Sequence, residues 1–243
     1  MEKKAISVYL APHQDDELTN LGVDLCREVS EGKEVWCLLF TDGSSSFVRE
    51  FLGNGEKCPL HPGRHVYRMD RAGFALARDR EWRESLAAMG LPAERAVVPE
   101  GRAVDGSLTK EQAKELLLRF LAGKNDARVT LKTIMPVTGC RQNPDHTNLG
   151  KAAEELFREG GADGLELFFE PILTGKNCPE ERDLTRVEPE NGEQRKKLEK
   201  AAAAYGRWDP AHGFFAVGHH SVKGEFDAFA ADPHNLKRRV EKT

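Results

Sequence analysis

The densest chemistry in the chain is the run His13-Gln14-Asp15-Asp16-Glu17, which sets one imidazole and three carboxylates side by side. A turn bringing His13 and Asp16 together offers a borderline cation one nitrogen and one oxygen ligand. Zinc commonly takes such a mixed set, and its catalytic sites use three protein ligands plus water. Asp15 lies between the two and stays free to act on that water. Zinc lowers the pKa of bound water to about 7, so a nearby carboxylate can complete its deprotonation. The competing reading makes the three carboxylates an acidic first helical turn, favoured by the helix dipole, with His13 an ordinary loop residue. A third ligand bears on the choice. The best candidate lies in Asn143-Pro144-Asp145-His146-Thr147, where His146 is expected at the end of another strand and immediately before a helix.

The elements that must position these groups follow from hydrophobic periodicity. Residues 5–10 read as a strand ending in Ala11-Pro12. Residues 16–31 read as one helix, closed by Gly32, and residues 34–40 as a strand buried on both faces. This opening is a βαβ unit, and ligands of open parallel sheets gather outside the carboxyl ends of the strands. Residues 44–70 are aperiodic and read as a long loop or lid. Helices follow at 71–89, 110–122, 149–159 and 193–205, and strands at 95–99, 128–136 and 165–173. Residues 208–215 read as a loop and the stretch from Lys223 as a polar tail.

Taken together, the two polar motifs resemble those of the PIG-L/LmbE-like family of zinc-dependent de-N-acetylases. The segment Ala11-Pro12-His13-Gln14-Asp15-Asp16-Glu17 is similar to the family's Ala-His-Pro-Asp-Asp-Glu, and Asn143-Pro144-Asp145-His146 to its His-Pro-Asp-His. Thr41-Asp42-Gly43 resembles its Thr-x-Gly turn. Arg78-x-x-Glu81 with Met89-Gly90 resembles its Arg-x-x-Glu…Leu-Gly helix. The resemblance implies a Rossmann-like α/β fold with a mostly parallel sheet flanked by helices and a variable C-terminal part. It implies His13, Asp16 and His146 as zinc ligands, Asp15 as general base to a zinc-bound water, and removal of acetyl from an N-acetylglucosamine-type sugar or its conjugate. Fe(II) could occupy the same ligands. An amidase acting on a larger acyl group, or a zinc-containing sugar-binding module without activity, remains an alternative. The expected organisation is one domain over 1–243. Residues 5–160 form its matched core, and 161–243 complete the sheet and the substrate pocket.

Two departures from the family pattern matter. Gln14 replaces a proline. Asn143 replaces the first His of the second motif; it can donate to an oxyanion but cannot act as a cation or an acid. His219 or His220, a glycine-flanked pair, is the candidate to fill that gap, and Arg78 the candidate to face an anionic substrate group. Cys58-x-x-His61-x-x-x-His65 has ligand-like spacing, but a structural zinc needs a fourth partner and none lies close in sequence. The competing reading is a lid loop in which His61 or His65 touches substrate. Trp208 reads as core rather than as a platform for sugar.

Composition narrows the function classes. Lys and Arg total 36 against 40 Asp and Glu, a net charge of −4, so no basic excess points to nucleic acid. No apolar run reaches the roughly 20 residues of a membrane span, and no signal-like segment is present. Glycine-rich nucleotide motifs and the Gly-x-Ser-x-Gly elbow are missing. The five cysteines lack paired spacing and read as reduced thiols of a cytoplasmic protein. Assembly into a homo-oligomer stays open.

Overall fold

The computed structural model describes residues 3–242. In chain order its elements are β1 (Lys4–Ala11), α1 (Asp16–Thr19), α2 (Gly22–Ser30), β2 (Glu34–Leu39), α3 (Val48–Phe51), α4 (Arg71–Ala88), β3 (Ala96–Val97), α5 (Lys110–Leu121), β4 (Ala127–Ile134), α6 (Pro144–Arg158), β5 (Gly164–Phe169), β6 (Thr185–Val187), α7 (Gly192–Tyr205), β7 (Trp208–Asp209), β8 (Phe214–Phe215), α8 (Val217–Ala231) and β9 (Asn235–Arg239). The main sheet runs β3-β2-β1-β4-β5-β9-β6, while β7 and β8 form a separate hairpin. Strands β1 to β5 are parallel, and β9 pairs antiparallel with both β5 and β6.

Alternation along the strands divides the core into two layers. From β1, Ile6, Val8 and Leu10 pack with Leu116, Leu117, Leu149 and Leu156 of α5 and α6. Tyr9 and Ala11 face the opposite way, toward Leu25, Trp82, Leu86 and Leu198 of α2, α4 and α7. The chain moves outward from β1 through β2 to β3, then returns to lay β4 against the other side of β1. Strand order therefore reverses between β1 and β4, and a crevice opens at their carboxyl ends. The segment beginning at His13 leaves the end of β1, and the loop leading to His146 leaves the end of β4.

One charge network is buried within the second layer. Lys132 of β4 sits 2.6 Å from Asp24, 2.9 Å from Glu166 and 3.1 Å from Glu28. Lys237 of β9 reaches Asp24 and Glu166, and the Tyr9 hydroxyl donates to Asp24 at 2.7 Å. A buried charge persists only when paired and hydrogen-bonded. Burial pushes the Asp24 carboxyl up, but the Lys132 and Lys237 ammonium groups outweigh it and hold the carboxyl at about 2.

The fold departs from the sequence expectations at identifiable places. The helix expected over 16–31 is broken into α1 and α2, because Asn235 of β9 inserts at the junction. Its side chain donates to the Asn20 carbonyl at 2.9 Å and accepts from the Asp24 N–H at 3.0 Å. Helix α6 begins at Pro144, so His146 lies inside its first turn rather than before the helix. Asn143 caps that turn by accepting from the Asp145 N–H, and proline at the first helical position favours the start. The supposed polar tail from Lys223 holds the greater part of α8 and all of β9, the latter a strand of the main sheet. Residues 208–215 include the β7–β8 hairpin. Cys140 and Cys178 form a disulfide with Cα atoms 5.5 Å apart, which corrects the reading of five reduced thiols. No described helix is long and apolar enough to cross a membrane.

Candidate metal centre

His13 Nδ1, Asp16 Oδ2 and His146 Nε2 form a triangle. The nitrogens are 3.0 Å apart, and each faces the carboxylate oxygen, at 3.2 Å from His13 and 3.3 Å from His146. A tetrahedral cation about 2.0–2.1 Å from each ligand implies edges of roughly 3.3 Å, so the three donors fit an ion of zinc's size without rearrangement. All three residues are buried.

The outward sides of both rings are held by carboxylates. His13 Nε2 lies 3.0 Å from Asp145 Oδ2 and 3.2 Å from Asp105 Oδ1. His146 Nδ1 lies 3.0 Å from Glu170 Oε1. The ring N–H on that side donates to carboxylate oxygen, which leaves the opposite nitrogen's lone pair toward the triangle, the usual support for a ligating histidine. These supports are themselves braced. Asp145 accepts from the Gly106 and Leu108 N–H groups at 2.7 and 3.0 Å, Glu170 accepts from Gln142 Nε2, and Asp16 Oδ1 accepts from Asn20 Nδ2 at 2.8 Å. Burial by itself would push both imidazoles down. The carboxylates outweigh it, raising His13 well above the ordinary range and His146 to about 9. The same surroundings that favour a proton on these rings favour a divalent cation between them.

Asp15 stands beside the triangle in a conformation that L-residues seldom adopt, with φ 111° and ψ −34°. Hydrogen bonds at its N–H, carbonyl and carboxylate hold it there. Its N–H donates to Glu17 Oε2 at 3.1 Å, its carbonyl accepts from Leu18 and Thr19, and Arg78 Nη2 donates to Oδ2 at 3.1 Å. Glu17 is fixed in turn by the hydroxyls of Ser85 and Tyr205, both at 2.7 Å. Burial raises the Asp15 carboxyl to about 6, with Arg78 pulling it down and Asp16 pushing it up.

Arg78 also donates to the carbonyls of Gln14 at 2.7 Å and Gly43 at 3.1 Å. Gly43 has φ +63°, and a Cβ there would come within 2.3 Å of Gln14 Oε1 and 2.6 Å of Arg78 Nη1, so this turn accepts only glycine. Arg78 thus fixes Asp15 and two loops, and it also lines the cleft beside the triangle. Glu81, one turn on, accepts from the Val217 and Gly218 N–H groups and caps α8; burial raises it to about 8.

The triangle opens into a cleft of about 530 Å³ whose lining includes Asp15, Arg78, Arg141, Asn143, Lys176 and Glu225. Asn143 is at its edge, but Oδ1 is committed to the Asp145 N–H at 2.9 Å, which leaves only Nδ2 to donate. Neither His219 nor His220 lines the cleft, although Ser221, Val222 and Glu225 of the same helix do. His219 packs against Phe226, and His220 Nε2 lies 3.1 Å from Cys58 Sγ. Glu225, raised to about 7 by burial and by the charges of Asp15, Asp16 and Glu170, is one cleft acid that sequence reasoning missed. It was hidden in the supposed tail. Asp105 and Glu170 were missed as well, because nothing local marks either one. A second cavity of about 440 Å³ adjoins the cleft, sharing Asn20, Ile172, Ser221, Val222 and Glu225 and continuing along Pro171, Ala228 and Phe229.

The sequence model of the PIG-L family, described as GlcNAc-PI de-N-acetylase, matches residues 8–157. No curated protein sequence matches significantly. Among solved structures, a triple mutant of a deacetylase of the teicoplanin biosynthetic pathway superposes with TM-score 0.64 at 16% identity, over 98% of this chain and 100% of that one. The N,N'-diacetylchitobiose deacetylase of Pyrococcus horikoshii gives 0.61 at 14% identity, over 97% and 83%. GalB, a 4-carboxy-2-hydroxymuconate hydratase of Pseudomonas putida, gives 0.59 at 15% identity, over 98% and 97%. At such identities the likeness establishes a shared fold, on which more than one reaction is carried out.

Proposed function

Since the chain belongs to the PIG-L family of GlcNAc-PI de-N-acetylases, we propose that it is a metal-dependent hydrolase that removes the acetyl group from an N-acetylated amino sugar or its conjugate. The observation that carries this reading is the Asp15 carboxylate, held by Arg78 beside the three-donor triangle at the mouth of the cleft. We assign His13, Asp16 and His146 as ligands of zinc, with Fe(II) chemically compatible. When bound there, zinc supplies Lewis acidity and lowers the pKa of water.

The chain's own residues do the rest. Asp15 takes a proton from the water that attacks the amide carbon, then returns it to the sugar nitrogen as the C–N bond breaks. Burial raises its carboxyl to about 6, which suits both halves of that task. Asn143 Nδ2 is placed at the cleft edge to donate to oxygen charge developing on the carbonyl. Arg78 and Glu17 keep Asp15 in its strained conformation, so its carboxylate is pre-positioned.

Acetate release from a panel of N-acetylated sugars tests the reading. Asp15→Asn should lower kcat by about 10²–10⁴-fold while the purified variant keeps its metal, since Asp15 is not a ligand. Activity that persisted in both Asp15→Asn and metal-stripped protein would defeat the proposal.

The adjoining cavity favours a second reading of the substrate. Its Pro171, Ile172, Ala228 and Phe229 wall suits an apolar group, either a longer acyl chain or an apolar aglycone. Comparing acetyl with longer acyl amides on one sugar separates these possibilities.

A further inference from the structure

We infer that the chain carries a second zinc site, of structural type, formed by Cys58, His61, His65 and His220. The first three come from the long segment between β2 and α4, and the fourth from α8. One ligand atom from each, the cysteine sulfur and three ring nitrogens, lies within 4.8 Å of every other. Cys58 Sγ is 3.1 Å from His220 Nε2, and His61 Nε2 is 3.2 Å from His65 Nε2. A tetrahedral zinc with bonds of about 2.3 Å to sulfur and 2.0–2.1 Å to nitrogen implies edges of roughly 3.3–3.6 Å, so these two spacings need only slight expansion and the rest lie within 4.8 Å.

The local backbone builds this convergence. Residues 55–65 fold back on themselves: the Gly55 N–H donates to the His65 carbonyl at 2.7 Å, the His65 N–H to Glu56 at 2.9 Å, and Lys57 bridges Arg64. That turn brings positions 58, 61 and 65 to one point. His220 reaches the same point because Glu81 fixes the start of α8.

The outer contacts set the tautomers that ligation needs. His220 Nδ1 faces the carbonyls of Ala216 at 2.8 Å and Phe215 at 3.1 Å, and His61 Nδ1 faces the Pro62 carbonyl at 3.1 Å. Carbonyls accept only, so each Nδ1 carries the proton and each Nε2 presents a lone pair to the cluster. The Leu60 N–H donates to Cys58 Sγ at 3.3 Å, which fixes the position of the sulfur. His65 is fully buried, its Nδ1 has no hydrogen-bond partner within 3.5 Å among the described residues, and its Nε2 faces the cluster. Trp208 stacks on His61 with ring centroids 3.2 Å apart, and Phe51 meets His65 edge-on at 4.4 Å, closing the site from outside.

Four protein ligands leave no open position, so the site holds structure rather than performing chemistry. It ties the long segment, whose Ser45, Ser46 and Phe47 line the cleft, to the helix whose Ser221, Val222 and Glu225 form the facing wall.

Cobalt substitution and metal analysis of the full chain test the site independently of the cleft. Wild-type protein should bind two equivalents of zinc, and its cobalt form should show a thiolate-to-cobalt charge-transfer band in the near ultraviolet. The donors at the triangle include no sulfur, so that site cannot produce the band. Cys58→Ser should drop to one equivalent and lose the band. His13→Ala with His146→Ala should also drop to one equivalent yet keep it. Absence of the band from folded, cobalt-loaded wild type overturns the inference, and so does a zinc content no higher than that of Cys58→Ser. Should Cys58→Ser fail to fold, the wild-type band and stoichiometry decide alone.

Discussion

Exchanging Glu170 for glutamine isolates the support behind one proposed ligand. The carboxylate serves two donors at once: Oε1 accepts from His146 Nδ1 at 3.0 Å, and Oε2 accepts from Gln142 Nε2. Glutamine has the same shape but one acceptor oxygen, so its NH₂ must face a donor on one side. The variant therefore loses a charge-assisted hydrogen bond, about 1.5–3 kcal/mol. At about 1.4 kcal/mol per decade this is roughly a 10–100-fold loss, matching the range for outer partners of metal-bound histidines. Because Glu170 makes no contact with Asp15 or with the other two ligands, the loss should fall on metal affinity. Zinc titration against a competing chromophoric chelator should show Kd raised by that factor, and saturating zinc should restore most of the turnover. An unchanged Kd in a folded Glu170→Gln protein would refute the assignment of His146 as a ligand oriented through Glu170.

Three further outcomes are expected. Gly43→Ala forces a Cβ against Gln14 and Arg78 at positive φ and should cost about 1–3 kcal/mol with a parallel loss of activity; a thermal midpoint equal to wild type contradicts the turn geometry. Asp24, held at about 2 against an ordinary 3.8, contributes stability that is complete above pH 3.8 and lost as pH falls through 2. The window is worth about 2 kcal/mol, and acid titration of Asp24→Asn should lack this component; an identical acid profile rules the network out as its source. Reducing the Cys140–Cys178 bridge, which spans 38 residues, should lower stability by about 2–4 kcal/mol, and an unfolding midpoint insensitive to reductant argues against the bond.

How much of this was legible in the sequence depends on the distance over which each cause acts. The βαβ opening, the strand-end position of His13 and the family motifs are local patterns, and the sheet order and the family match agree with them. The start of α6 is equally local, since Asn143-Pro144 is a cap followed by a favoured first residue, but the hydrophobic pattern alone begins only at Leu149. The break between α1 and α2 had no local signal, because its cause is Asn235, 215 positions beyond Asn20. Asp105 and Glu170 are unreadable for the same reason: each acts on a ring from the loop that follows a different strand. His220 shows the opposite error. A local feature, two adjacent histidines between glycine and serine, suggested a role in the cleft, whereas the turn of α8 sends that imidazole to Cys58.

The broken helix α8 has a consequence for how this scaffold can change. His13, Asp15, Asp16, Asp105, Asp145 and His146 all fall inside the stretch that matches the family model, residues 8–157. Ser221, Val222 and Glu225, which are shared by the two cavities, lie well beyond its end, around a residue whose backbone leaves the helical region at φ −134°. On the proposed function, the groups assigned to the chemistry lie mostly within that stretch, while part of the cleft wall comes from a helix beyond it. Substitutions at Ser221, Val222 and Glu225 alone, with His220 kept, should reshape what enters the cleft while leaving His13, Asp15, Asp16 and His146 in place.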